Sequence, residues 1–182
     1  MIDSREASEA LADIDDMVSR VRQSRIYDLA SQLMILWGVL VFAGYLITWL
    51  APRYAFYGWI AVYVVGIAGW ARISVTNQPR SGVRSFDLKF FLAFVLFFGF
   101  GIFCCVLGHF GPRQVSAFWP VYFMMFYSIA GLWFGYAFIA IGLAVSVLTL
   151  VGYAYIGNAF DLWMAFVNGG GLILGGLWMR RV

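Results

Sequence analysis

The C-terminal stretch FVNGGGLILGGLWMRR, residues 166–181, combines an amide side chain with a run of glycines. A phosphate-binding loop follows a strand and leads into Lys-Ser/Thr, whereas this run has no lysine and lies inside an apolar segment. On a helix, Gly171 and Gly175 form a GxxxG pattern, which lets two backbones approach closely. Asn168 shares their face. We favour the interpretation that its side chain forms a polar link to a neighbouring helix. The alternative is that the amide lines a pore or contacts a ligand.

A second polar group lies in GHFGPR, residues 108–113, which contains the only histidine of the chain. His109 and Arg113 could form a pH-sensing or ligand-binding contact on the outer side of a membrane. Gly111-Pro112 is typical of a turn. A polar turn at the membrane interface is therefore the simpler interpretation, and we favour it.

The remaining residues offer little for catalysis or metal binding. A single histidine cannot supply a histidine-based metal site, and the adjacent Cys104 and Cys105 are best explained as small buried hydrophobes. The acidic residues fall before residue 17 or at the ends of apolar segments. Proton relays and ion paths place such groups inside the membrane. We therefore expect a non-enzymatic protein with no catalytic residues, no cofactor and no metal.

The composition is that of a membrane protein. Of 182 residues, 63% are hydrophobic and 12% are charged, against about 25% charged in a soluble domain. The net charge of +3 is too small to argue for nucleic acid. Segments of about 20 apolar residues can cross the hydrocarbon core. Six are predicted, the fourth and fifth joined by a turn near Trp133–Tyr136: residues 29–50, 54–72, 88–109, 114–134, 137–157 and 161–179.

The predicted fold is all-α, with a six-helix transmembrane domain at 29–182 preceded by a cytoplasmic amphipathic helix at 1–28. The apolar positions of that helix recur at spacings of three and four residues, namely Ala7, Leu11, Ile14, Val18 and Val21. Such a helix could dock a partner or a second copy. A helix lying on the membrane surface or on the protein's own inner face is the interpretation that we favour.

Two patterns suggest internal repetition and close helix packing. The motifs GY and WxR recur with the same spacing in the first two and the last two segments, which is consistent with three repeated helical hairpins. Gly131 and Gly135 repeat the GxxxG pattern in the fourth segment. Both patterns predict that the helices pair tightly.

Lysine and arginine predict the orientation, because cytoplasmic loops carry their excess. Most basic residues precede the first segment, surround residues 72–89 or follow the last segment, whereas Arg53 and Arg113 fall on the opposite side. Both termini are therefore predicted to be cytoplasmic.

Three segments carry a family resemblance: SRIYDLASQLMILWGVLVFAGY, GHFGPRQVSAFWP and DLWMAFVNGGGLILGGLWMRR. With them, the whole chain resembles a group of uncharacterised six-span inner-membrane proteins of bacteria, of the proteobacterial type. This resemblance implies a bacterial cytoplasmic membrane and supplies no substrate. From the residues we expect an accessory, assembly or regulatory component that acts through helix contacts, with the lipid bilayer and a second copy or another membrane protein as partners. The alternative is a small channel or facilitator for a neutral or weakly polar solute.

Overall fold

The computed structural model describes residues 4–81 and 88–181, and the regular structure in these ranges is helical. Seven α-helices occur there, in chain order: α1 (Ser4–Leu50), α2 (Ala55–Ser81), α3 (Leu88–Leu107), α4 (Pro112–Phe134), α5 (Tyr136–Tyr155), α6 (Phe160–Met164) and α7 (Gly171–Met179). A short 3₁₀ turn, Pro52–Tyr54, joins α1 to α2. A π-helical segment, Ala165–Gly170, joins α6 to α7, and we call the continuous element Phe160–Met179 the C-terminal helix.

Five helices in the described ranges are long and apolar enough to cross a membrane. They are Ile26–Leu50, Pro52–Thr76, Pro112–Phe134, Tyr136–Tyr155 and Phe160–Met179. The apolar part of α3, Leu92–Leu107, is shorter.

The first helix continues through the boundary predicted at residue 28. Residues 4–37 contain neither glycine nor proline, so no helix breaker separates the amphipathic segment from the first span. Residue 28 is therefore not a break in the backbone. Leu11, Ile14 and Val21 are exposed on this extension. The side chains of Ala7, Val18, Arg80 and Lys89 lie outside what the structure describes, as does the whole of Arg84.

The helices α4 and α5 form a hairpin whose turn is Gly135, inside the predicted turn region. Gly135 has φ 128°, a conformation that is strained for residues with a Cβ. One turn earlier, a Cβ on Gly131 would lie 2.8 Å from the backbone nitrogen of Ile139. Pro120 lies inside α4 without ending it. Gly135 thus makes the turn, and Gly131 lets α4 and α5 approach each other closely.

The C-terminal helix packs between α1 and α5. A Cβ on Gly169 would lie 2.6 Å from Cα of Phe42, and one on Gly176 would lie 2.9 Å from the carbonyl oxygen of Ser31. Small residues permit this close approach to α1. Three methionines fill the adjoining space with almost no exposure, Met34, Met164 and Met179. Their flexible side chains suit irregular gaps of this kind.

Candidate functional site

Two polar residues of the C-terminal helix, Asp161 and Asn168, have buried oxygen atoms and lie in its N-terminal half, where it faces α1 and α4. Asn168 is only 7% exposed and belongs to the π-helical segment. Within the described part of the chain, its Oδ1 atom has no hydrogen-bond partner. Buried polar atoms without partners are uncommon in native proteins, and each needs an explanation.

Tyr45 of α1 forms the opposite wall. Its hydroxyl donates a 2.8 Å hydrogen bond to the carbonyl oxygen of Ser116 at the start of α4. The Asn168 side chain lies near the same phenol. The Trp59 ring packs edge-on against Tyr45 with centroids 5.1 Å apart. Three helices thereby meet at one phenol group.

Asp161 approaches the same group from the first turn of α6. A carboxylate is favoured there by the positive end of the helix dipole. Its Oδ1 atom is nevertheless buried and has no hydrogen-bond partner among the described residues. Its carboxyl group lies near the Tyr45 phenol. We call Tyr45, Asp161 and Asn168 the polar cluster.

The π-helical segment places Asn168 in the polar cluster. A π turn bonds over five residues, which is visible in the bond from the backbone nitrogen of Gly171 to the carbonyl oxygen of Phe166. Gly169 lets this widened turn press against Phe42. Isolated π turns inside α-helices are frequent at functional sites.

Arg113 and His109, considered together from the sequence as one contact, have different surroundings in the structure. Arg113 donates hydrogen bonds of 2.8 and 2.6 Å to the carbonyl oxygens of Tyr153 and Ile156. It therefore caps the C-terminal end of α5, where cations interact favourably with the helix dipole. His109 is exposed in the turn after α3, with φ 49°.

The glycines of the GxxxG pattern face α5, and Gly175 also faces Met34 of α1. A Cβ on Gly171 would lie 3.1 Å from Val145, and one on Gly175 would lie 2.9 Å from Ile141. An open groove of about 360 Å³ remains beside them, and it is lined mainly by apolar side chains and small residues. The closer approach uses Gly169 and Gly176 against α1, a pairing that the sequence analysis did not identify. The seven-residue spacing of Gly169 and Gly176 was the available signal.

The polar cluster contains one carboxyl, one amide and one phenol, which suits hydrogen bonding or cation binding better than nucleophilic chemistry. Among residues 4–81 and 88–181, no group of three or more His, Cys, Asp or Glu residues is arranged to hold a metal ion. A second groove, of about 330 Å³, lies between α1 and the C-terminal helix and is lined by apolar residues. Asn168 lines neither groove.

Comparison with known proteins adds no assignment to this geometry. No protein-family model, no curated protein and no solved structure matches the chain.

Proposed function

We propose that the chain is a six-span protein of the bacterial cytoplasmic membrane that acts as a non-enzymatic accessory, assembly or regulatory component. It works through helix contacts, and both of its termini face the cytoplasm. The observation that carries the proposal is the uncovered face of α3 around Gly99. The partner is a helix of another membrane protein or of a second copy.

The inner side of α3 is held by aromatic rings. Phe97 stacks on Tyr122 of α4 with centroids 4.1 Å apart, and Phe98 stacks on Trp119 at 4.8 Å. A Cβ on Gly101 would lie 2.8 Å from the Trp119 ring. This side of α3 is therefore satisfied by contacts within the chain.

The opposite side of α3 carries a glycine in open space. A Cβ on Gly99 would meet nothing within 4 Å. Its neighbours one or two turns away on the same side are exposed large hydrophobics: Leu92, Val95, Leu96, Ile102, Phe103 and Val106. Where lipid covers a helix, the missing side chain of a glycine brings no advantage. Where a second helix packs on it, the glycine allows the two backbones to approach closely. Gly99 therefore favours a helical partner over lipid alone.

Charge and length support the topology. A helix of 20 residues such as α3 is long enough to cross the hydrocarbon core, which supports the proposal that α3 is a sixth span. Arg72 then lies on the same side as Arg180, which donates a 2.9 Å hydrogen bond to Ser31 of α1. Arg53 and Arg113 lie on the other side. This distribution favours cytoplasmic termini.

A facilitator for a neutral or weakly polar solute is the second candidate function. It is favoured by the buried Asn168 and by the unpartnered oxygen atoms of the polar cluster. It receives less support from cavities, because both grooves have apolar linings and Asn168 lines neither. A solute-flux assay in liposomes containing only this chain tests it directly.

The accessory function is tested by Gly99→Leu, with Ala154→Leu as the matched control. Both positions are exposed, so neither leucine meets the chain's own core. The proteins are extracted from native membranes into lipid nanodiscs. The wild type and the control should be recovered in a complex of defined mass, whereas Gly99→Leu should be recovered without it. A wild-type protein recovered only as a monomer contradicts the proposal.

A further inference from the structure

Helix α1 carries an exposed apolar stripe on the part that precedes its candidate membrane span. We call residues 4–25 the N-terminal extension, because the span begins at Ile26. Four large apolar side chains of the extension are between 50 and 64% exposed: Leu11, Ile14, Met17 and Val21. Their spacing of three and four residues puts them on one side of the helix. Exposed apolar stripes of this kind mark contact surfaces.

The direction of α1 argues against lipid as the contact. The helix runs without interruption from Ser4 to Leu50, so the N-terminal extension continues in the direction in which the span leaves the membrane. At about 1.5 Å per residue, it reaches about 33 Å beyond the span. Membrane helices are tilted from the bilayer normal by about 20° on average. Such a helix projects into water and does not lie along the membrane surface. The exposure of the stripe also argues against packing on the protein's own inner face.

The stripe continues into the span on the same side of α1. Leu11 and Val39 are four heptads apart, so they occupy equivalent heptad positions. Val21, Asp28 and Val39 are exposed along this line. Val39 also lines the second groove, between α1 and the C-terminal helix. Helix α1 therefore presents one long face from Leu11 to Val39, which we call the α1 face.

The charges in the middle of the α1 face are complementary to those of a second copy. Two copies in one membrane have parallel α1 helices, because both cross it in the same direction. With Leu11 at heptad position a, Arg25 also falls at a and Asp28 falls at the following d. A knob at a contacts the neighbouring d residue of a parallel partner. This register brings Arg25 of each copy beside Asp28 of the other. Asp28 is exposed and accepts a 3.1 Å hydrogen bond from Gln32, one turn further along the helix.

The other charges of the N-terminal extension do not oppose this pairing. Positions e and g flank the contact, and each g residue faces the e residue of the partner's next heptad. The resulting pairs are Ala10 with Asp15 and Met17 with Arg22, so like charges do not meet there. The remaining carboxylates of the extension fall at positions c and f, away from the contact: Glu6, Glu9, Asp13 and Asp16.

We propose that α1 pairs with α1 of a second copy, in parallel and along the α1 face. A free-standing coiled coil needs three to four heptads, whereas the N-terminal extension supplies about two. The membrane compensates for this, because it holds the two extensions side by side and raises their effective concentration. The proposal rests on the proposed membrane topology of the chain and does not depend on a partner at α3.

Disulfide cross-linking of the full-length protein in native membranes tests the pairing. Cys104 and Cys105 are first replaced by alanine. In that background, Ile14→Cys and Val21→Cys should each give a disulfide-linked dimer on mild oxidation, because a disulfide needs Cα atoms within about 7 Å. Ser19→Cys is the control, since position 19 falls on the opposite side of the helix, and it should stay monomeric.

A charge exchange identifies the contact that holds the second copy. In the Val21→Cys protein, Asp28→Arg replaces the two reciprocal ion pairs with a group of arginines, and it should lower the dimer yield about fivefold. Adding Arg25→Asp in the same chain restores the reciprocal pairs with their signs exchanged, and the yield should recover.

Three results would overturn the proposal: no dimer from positions 14 and 21, an equal yield from position 19, or no recovery in the charge exchange. A disulfide from position 14 or 21 to a different protein would overturn it as well. Each of these results leaves the proposed function standing, because Gly99→Leu tests the contact at α3 separately.

Discussion

The C-terminal helix and α2 are equally plausible as membrane spans, yet they are packed in different ways. Half of the most apolar window of the C-terminal helix is buried inside the protein, against 11% for the window that covers α2. The C-terminal helix presses glycines against the α1 backbone. The difference separates a more deeply buried centre, made of α1, α4, α5 and the C-terminal helix, from a periphery of α2 and α3.

In the periphery, the helices contact their neighbours through aromatic side chains and not through close backbone approach. α3 is attached to α4 by stacked pairs such as Phe97 with Tyr122, and Tyr63 of α2 reaches Phe98 with centroids 6.1 Å apart. Such pairs are worth about 0.5–1.5 kcal/mol each beyond their buried area. We expect the two regions to respond differently to mutation, and the predictions follow in order of decreasing effect.

The largest effect is expected at the contact between the C-terminal helix and α1. Gly169→Ala places a methyl group 2.6 Å from Cα of Phe42, and overpacking of this kind costs about 1–3 kcal/mol. Gly170→Ala, one residue later, meets nothing within 4 Å and should be neutral. Thermal unfolding should show Tm falling for the first variant alone. Equal effects at both positions would mean that helix propensity, and not close approach, governs this region.

A smaller and local effect is expected from Trp119→Ala. It removes the ring that stacks on Phe98 and contacts Gly101, so the attachment of α3 should weaken by about 1–2 kcal/mol. Hydrogen exchange should quicken in α3 and stay slow in the C-terminal helix. A uniform increase over both helices would contradict the division into centre and periphery.

Two tyrosines allow a matched comparison of single hydrogen bonds. Tyr45 donates to Ser116 at 2.8 Å in the centre, and Tyr122 donates to Phe97 at 2.9 Å in the periphery. Changing each to phenylalanine removes one phenol-to-carbonyl bond. Tyr45→Phe should cost about 1 kcal/mol of global stability, because the lost bond joins α1 to α4 within the centre. Tyr122→Phe should affect only the exchange rate of α3, and a larger fall in Tm for it than for Tyr45→Phe would count against this account.

The smallest effect is expected at the outer surface. Arg113→Gln removes the cation that caps α5, which should cost about 0.3–1 kcal/mol. Arg53→Gln is the control, since Arg53 is exposed in the 3₁₀ turn. Thermal unfolding at low and high salt should show the Arg113 effect shrinking with salt.

Hydrophobicity and turn residues predicted much of the fold. The all-helical character, the long apolar helices and the turn at Gly135 follow from apolar segment length and from glycine. The continuity of α1 was missed, because a change in polarity at residue 28 was interpreted as a structural boundary although no helix breaker is present.

The site was less predictable. Asn168 was identified from the sequence, but the π turn that brings it near Tyr45 follows from tertiary packing against Phe42 and leaves no periodic signal. Asp161 was expected at a span end, where its burial could not be anticipated. The face formed by Gly169 and Gly176 was hidden by the more familiar GxxxG spacing of Gly171 and Gly175.

The central claim, that α3 is covered by another protein helix, is tested most directly by photo-crosslinking in intact membranes. A photoreactive residue at position 96, where Leu96 is 72% exposed, is compared with one at position 155, where Tyr155 is 84% exposed. We predict one discrete protein adduct from position 96 and none from position 155. Lipid adducts alone from both positions would contradict the claim.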